Sequence, residues 1–118
     1  MDIRATAKYI RLSPKKGRDL AREISGLPVG SALSMMQFNK RKAAFYLAKT
    51  LKSAIANAEN NAQLSVDHLW VKQAVVEEAP RMKRFWPSAK GGALPIAKTM
   101  CHMKVVLTDE EIKRRKRR

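Results

Sequence analysis

Residues able to do catalytic or metal chemistry are few in this chain and poorly spaced. Cys101-His102 and His68 offer one thiol and two imidazoles, at no spacing recognised as a zinc site. Glu77-Glu78 falls where a strand should end. Asp109-Glu110-Glu111 follows the last strand, placed to cap it or to neutralise the basic residues beyond. No Ser–His–Asp or Cys–His set can be built from so few candidates. Gly91-Gly92 lacks the lysine and hydroxyl that follow a phosphate loop, so it reads as turn chemistry. The expectation is no catalytic residue, no metal ligand and no cofactor. What remains is the chemistry of cations against a polyanion.

The 118 residues include 25 Lys and Arg against 10 Asp and Glu, a formal net charge of +15. Self-repulsion at that charge opposes compaction, and a polyanionic partner relieves it. Nucleic acid is the first candidate and an anionic membrane surface the second. An apolar content of 45% argues for a folded chain rather than a disordered one. The length suits one domain, read as residues 1–112, with a basic tail "KRRKRR" at 113–118. No run approaches the ~20 apolar residues of a membrane span. "MDIRATAKYIRL" has no continuous apolar stretch of a secretory signal. One cysteine forms no intrachain disulfide, which suits a reducing, cytosolic compartment.

These cations need elements to hold them. Ile3 to Leu12 alternates as a strand, with Ala5, Ala7 and Tyr9 on one side and Arg4, Thr6, Lys8 and Ile10 on the other. Ser13-Pro14 starts a helix, Leu20, Ala21 and Ile24 continue it, and Gly26 stops it. A short helix is expected over Ser31 to Gln37, with Ala32, Met35 and Met36 inward. Asn39 is placed to cap a third helix, whose stripe is Ala44, Leu47, Ala48, Leu51, Ile55 and Ala58. Lys40, Arg41, Lys42, Lys49 and Lys52 crowd its first half, where the helix dipole favours acids; that cost suggests a functional demand for charge. Strands are expected at His68 to Ala79 and Met103 to Leu107.

Between the last two strands lies a segment unlike a core. Ala79 to Lys104, "APRMKRFWPSAKGGALPIAKTMCHMK", holds six Lys and Arg, two large aromatics, three prolines and no carboxylate. With Gly91-Gly92 as its tip it makes a hairpin with arms of about ten residues, roughly 30 Å long. Arg81, Lys83 and Phe85 project from one face, and Met82, Arg84 and Trp86 from the other, so neither is a buried sheet face. An isolated two-stranded ribbon is marginal in water, and Pro80, Pro87 and Pro95 each remove a ladder donor. Such a finger needs a mould. Structured RNA supplies one, through phosphates for the cations and bases for the aromatics.

The chain resembles the family of the twenty-second protein of the large ribosomal subunit. The resemblance runs from "RLSPKKGRDLAREISG" through "FNKRKAAFYLAKTLKSAIANAENN" and "LWVKQAVVEEAPRMKRFWP" to "HMKVVL"; "KSAIANAENN" and "MKRF" are its most specific pieces. It implies an α+β fold: a small antiparallel three-stranded sheet packed by three helices, with a long protruding β-hairpin at about residues 79–104. It implies a non-enzymatic structural role in the ribosome of the cytoplasm or an organelle. Its implied partners are large-subunit ribosomal RNA, neighbouring ribosomal proteins at the exit tunnel and the nascent peptide, with no membrane. The tunnel-facing part maps to Met82 through Lys98. Family hairpins usually carry more arginine there; this chain has Trp86, Ser88, Gly92, Pro95, Ala97 and Thr99.

The residues expected to meet RNA in the body are Arg4, Lys8, Arg11, Lys15, Lys16 and Arg18, with Lys40, Arg41 and Lys42 as a second anchor. On the finger they are Arg81, Lys83, Arg84, Trp86, Lys90 and Lys98. The competing reading is a free-standing basic module that binds nucleic acid and regulates expression; a basic membrane-surface protein is a third, disfavoured by the mostly alanine face of the long helix, and an RNA-cleaving enzyme is a distant alternative.

Overall fold

Five stretches of this chain pair as antiparallel strands, and three helices close over one side of the larger sheet. The computed structural model describes residues 2–87 and 89–110. Within them run β1 (Asp2–Ile10), α1 (Pro14–Ile24), α2 (Val29–Phe38), α3 (Lys42–Asn61), β2 (Trp70–Glu78), β3 (Met82–Pro87), β4 (Ala93–Lys98) and β5 (Cys101–Thr108). Single 3-10 turns lie at Val66–His68 and Ala89–Gly91. The fold is α+β, with a three-stranded sheet in the order β1-β5-β2 and a separate two-stranded β3-β4 hairpin. The basic tail 113–118 lies outside the described residues.

β5 is last in the chain but central in the sheet, and its sequence explains why. Cys101, Met103, Val105 and Leu107 alternate onto one face and are fully buried. α3 covers β1 and β5, α1 covers β2, and α2 leans on α3. Close approach depends on small residues. The buried face of α3 is built from Ala43, Ala44, Ala48, Ala54 and Ala58 around Leu47 and Leu51. In α1, a Cβ added at Gly17 would stand 3.3 Å from both Met103 Cε and Val76 Cγ2, so the bare backbone is what lets this helix seat. Gly26 ends the helical region with φ +83°, and its N–H donates to the Val71 carbonyl at 2.7 Å. Val71 in turn donates to Leu27, which covers part of the β2 edge.

The helices and strands are where the sequence patterns put them to within two residues at their ends, β1 stopping at Ile10 rather than Leu12 and β2 starting at Trp70 rather than His68, with four further corrections. Tyr9 is not inward with Ala5 and Ala7. Its backbone is left-handed (φ 57°), the β1–β5 register shifts between Ala7 and Ile10, and Ile10 is buried in its place. A bulge inserts one residue and reverses the alternation beyond it, which a period-two reading cannot anticipate. Met35 is exposed, while Ala32 and Met36 hold the α2 contact. Asn39 is not the N-cap of α3: it is the C-cap of α2, and its Oδ1 accepts from the N–H of Arg41, which takes the N-cap position before α3 begins at Lys42. Ile55 is only half-buried on α3, where Ala54 is fully buried.

The hairpin is a ladder of its own. Six residue pairs run from Met82–Lys98 to Pro87–Ala93, a paired length of roughly 20 Å against the 30 Å expected for the arms. Three residues, 79–81, face only two, 99–100, at the joint with the body, where the Ala79 N–H reaches the Met100 carbonyl. That mismatch, and Pro80 with no N–H to give, interrupt the ladder and shorten the finger proper. From Lys83 to Lys98 every described residue is exposed. Lys90 and Gly91 turn the tip with φ of 62° and 70°.

Three outcomes follow from this division. Leu47→Ala and Leu51→Ala should each cost roughly 2–5 kcal/mol in denaturant unfolding, because both side chains are fully buried. Replacing residues 82–98 by an Asn-Gly turn should leave one cooperative transition with nearly the parent midpoint. A broad or absent transition would show that the finger is part of the core. The third concerns pH. Lys72 Nζ donates to Asp2 Oδ2 at 2.7 Å and holds that carboxyl below its ordinary pKa. A depressed carboxylate stabilises above its unfolded pKa and loses that contribution as pH falls through the folded value. Asp2→Asn should therefore be slightly less stable than the parent at neutral pH, the gap closing below about pH 4.

Candidate nucleic-acid interface

Two helices start side by side at the foot of the finger, and neither start carries an acid. α1 opens on Pro14-Lys15-Lys16 and α3 on Lys42 after Arg41; neither has a side-chain cap or an acidic residue in its first turn. The free N–H groups and the positive end of each helix dipole add to the charge of the lysines. This is the ordinary physics of an anion site at a helix N-terminus, doubled.

Carbonyl oxygens lace the corner together. Lys42 Nζ donates to the Arg11 carbonyl at 2.9 Å, and Arg41 Nη2 donates to the Lys16 carbonyl at 3.0 Å. These bonds fix the side chains without cancelling their charge, as a carboxylate partner would.

Three grooves meet here. One of about 400 Å³ lies between β1 and α3 and is walled by Lys8, Tyr9, Arg11, Lys42, Tyr46 and Lys49. A second, about 350 Å³, joins Arg11, Lys16 and Lys42 to Met82 and Lys98 at the root of the finger. A third, about 280 Å³, is lined by Leu12, Lys16, Arg41, Lys42 and Ala43. Lys42 borders all three and, among the described residues, no carboxylate borders any, so they form one cationic trough. Lys8, Arg11, Lys16, Arg41, Lys42 and Lys98 are thus brought together from four segments.

The other expected residues are placed elsewhere. Lys15, Arg18 and Arg81 line a smaller recess of about 120 Å³ that also contains Glu78. Arg18 Nε donates to the Val76 carbonyl at 3.3 Å, tying α1 to β2, so part of its role is internal. Arg4 stands exposed on β1, and Lys40 on the turn between α2 and α3; neither borders the trough. Lys83, Arg84, Trp86 and Lys90 are exposed along the finger, with Arg84 Nη1 folded onto the Lys83 carbonyl at 2.8 Å.

Register gives the finger two unlike faces. Met82/Lys98, Arg84/Ile96 and Trp86/Leu94 share one face; Lys83/Ala97, Phe85/Pro95 and Pro87/Ala93 share the other. The first is apolar with two cations; the second is slimmer, its partner side chains being only alanine and proline. Cys101 takes no part in surface chemistry. Burial pushes its thiol pKa up, away from the thiolate that ligates or attacks.

The aromatic residues of the trough were not among the expected contacts. Tyr46 is half-buried, stacked edge-on against Phe45 at 5.4 Å, with Lys42 Nζ 5.9 Å from its ring centroid. Lys49 Nζ lies 5.5 Å from the Phe45 centroid. The readable signal is the interleaving itself, "AKYIR" and "KAAFYLAK", in which tyrosine or phenylalanine is flanked by cations.

Fold and surface together define a class: a small, strongly basic α+β protein with a projecting cationic finger. Its sequence carries the comparison further. The profile of the family described as Ribosomal protein L22p/L17e matches residues 5–108, and the chain belongs to that family. It is 50% identical over 111 residues to a protein named large ribosomal subunit protein uL22 from Akkermansia muciniphila, covering 94% of this chain and 99% of the relative. A protein of the same name from Opitutus terrae is 49% identical over 109 residues, covering 92% and 96%. Another, from Methylacidiphilum infernorum, is 45% identical over 113 residues, covering 96% and 99%.

Proposed function

We propose that this protein is a structural constituent of the large ribosomal subunit that binds large-subunit ribosomal RNA and supports subunit assembly. The observation that carries the RNA-binding part is the trough of Arg11, Lys16, Arg41 and Lys42 at two acid-free helix starts. Family membership supports the ribosomal setting. Phosphates are the fitting occupants, since they accept from lysine, guanidinium and backbone N–H alike. The body is then an anchor and the finger an extension. Lys98 and Met82 border the same trough, so RNA bound there also grips the finger's root. In this reading the finger runs into the wall of the peptide exit tunnel, beside neighbouring ribosomal proteins and within reach of the nascent chain. Its lack of self-support is met by RNA on both faces. The protein's part is scaffolding, not catalysis.

Binding of the full chain to a large-subunit rRNA transcript, measured across a salt series, tests this directly. Each phosphate contact removed should lower the log–log salt slope by about 0.7–0.9. Lys42→Ala and Arg11→Ala should each do so, whereas Arg4→Ala and Lys40→Ala should have smaller effects. Unfolding midpoints should move little in all four. Equal slopes for trough and non-trough variants would remove the trough as the anchor. Loss of co-sedimentation with large subunits after a moderate salt wash would remove the ribosomal assignment.

A further inference from the structure

We propose that the groove between β1 and α3 is a pocket for a single unstacked ribonucleotide, its base against Tyr9 and Tyr46 and its phosphate on Arg11 and Lys42. The inference rests on the RNA reading above and identifies what that surface takes at one point.

Tyr9 is the first reason. A bulky residue in the left-handed region is strained, and such strain usually persists only where the surroundings over-determine it. Here it gains no burial in return, for the side chain is 61% exposed. What the conformation achieves is to turn the ring out of the strand's alternation and onto the His102 side of β1, while the residue still lines the groove at the strand's edge. The ring is braced there. His102 meets it edge-on, centroids 4.9 Å apart at 87°, and His102 Nδ1 accepts from the Tyr9 N–H at 3.0 Å.

The walls are the second. Two tyrosines, four cations (Lys8, Arg11, Lys42 and Lys49) and Thr50 line a space of about 400 Å³ that no described carboxylate borders. That volume falls in the range of small-molecule sites, roughly 300–1,000 Å³. It suits one nucleotide. Aromatic faces beside cations hold bases that have left the stack, because every base offers a π-face and its phosphate accepts from the cation. Paired RNA presents no free face to Tyr9. The occupant therefore comes from a loop, bulge or internal junction of the bound RNA.

Substitution at position 9 separates ring from backbone. Tyr9→Gly removes the ring while accepting the left-handed backbone, and Tyr9→Phe keeps the ring. Both are compared with the parent for binding a large-subunit rRNA transcript and a fully paired RNA duplex, each across a salt series. Tyr9→Gly should weaken transcript binding roughly 5- to 150-fold, the loss expected for one stacked base, with the parent's salt slope. Tyr9→Phe should match the parent, and neither change should alter duplex binding. Should Tyr9→Gly melt early, Tyr9→Asn, which also tolerates positive φ, carries the same comparison. A ring-deleted variant that binds the transcript like the parent, with the parent's salt dependence intact, overturns the pocket and leaves the RNA reading standing. A parent that binds neither RNA overturns both.

Discussion

Positive charge without acid beside it is what the rest of this molecule must accommodate. Lys16, Arg41 and Lys42 stand where two helix dipoles point their positive ends, an arrangement that costs folding free energy in the free protein. The body tolerates it because its packing is close. Alanines on α3 and the bare Gly17 on α1 bring both helices tight against a sheet whose central strand is fully buried along one face. Hydrogen bonds from Lys42 and Arg41 to carbonyls then hold the cations in place with their charge intact. Side chains held in advance in this way lose less freedom if an anion binds them.

The finger follows the opposite logic. Its ladder is disconnected from the body sheet at a joint with three residues on one side and two on the other, and its residues are exposed. Among the described residues nothing covers Phe85 or Trp86, which stand 76% and 63% exposed. In water such a ribbon is marginal. Its two unlike faces suit it to lie inside something rather than upon it. Rigid anchor and unsupported extension are consistent with a protein that completes its shape only within an assembly.

Much of this was legible before any coordinates. The helical stripe around Leu47 and Leu51, the Ser13-Pro14 start and the Gly91-Gly92 tip follow from local chemistry that tertiary contacts did not override. The gathering of Arg11, Lys16 and Lys42 was half legible: each was marked by its charge, but their meeting with Lys98 depends on how β1, α1, α3 and the finger root converge. Tyr9 and Met35 depart from the periodic pattern for two different reasons. Periodicity assigns a face only while the backbone repeats, and a bulge at Tyr9 broke the repeat. On α2 just three residues are buried, too few to fix which methionine turns inward.

The sequence alone determined the sign of the protein's own charge, the order of the elements and the existence of a finger that cannot bury itself, since these depend on composition and on contacts near in the chain. Tertiary structure decided which cations lie side by side, which residues share a face of the finger and where an aromatic residue meets the charged trough. Those are matters of register and of distance between segments far apart in sequence. Local patterning carries no information about them until the sheet has closed.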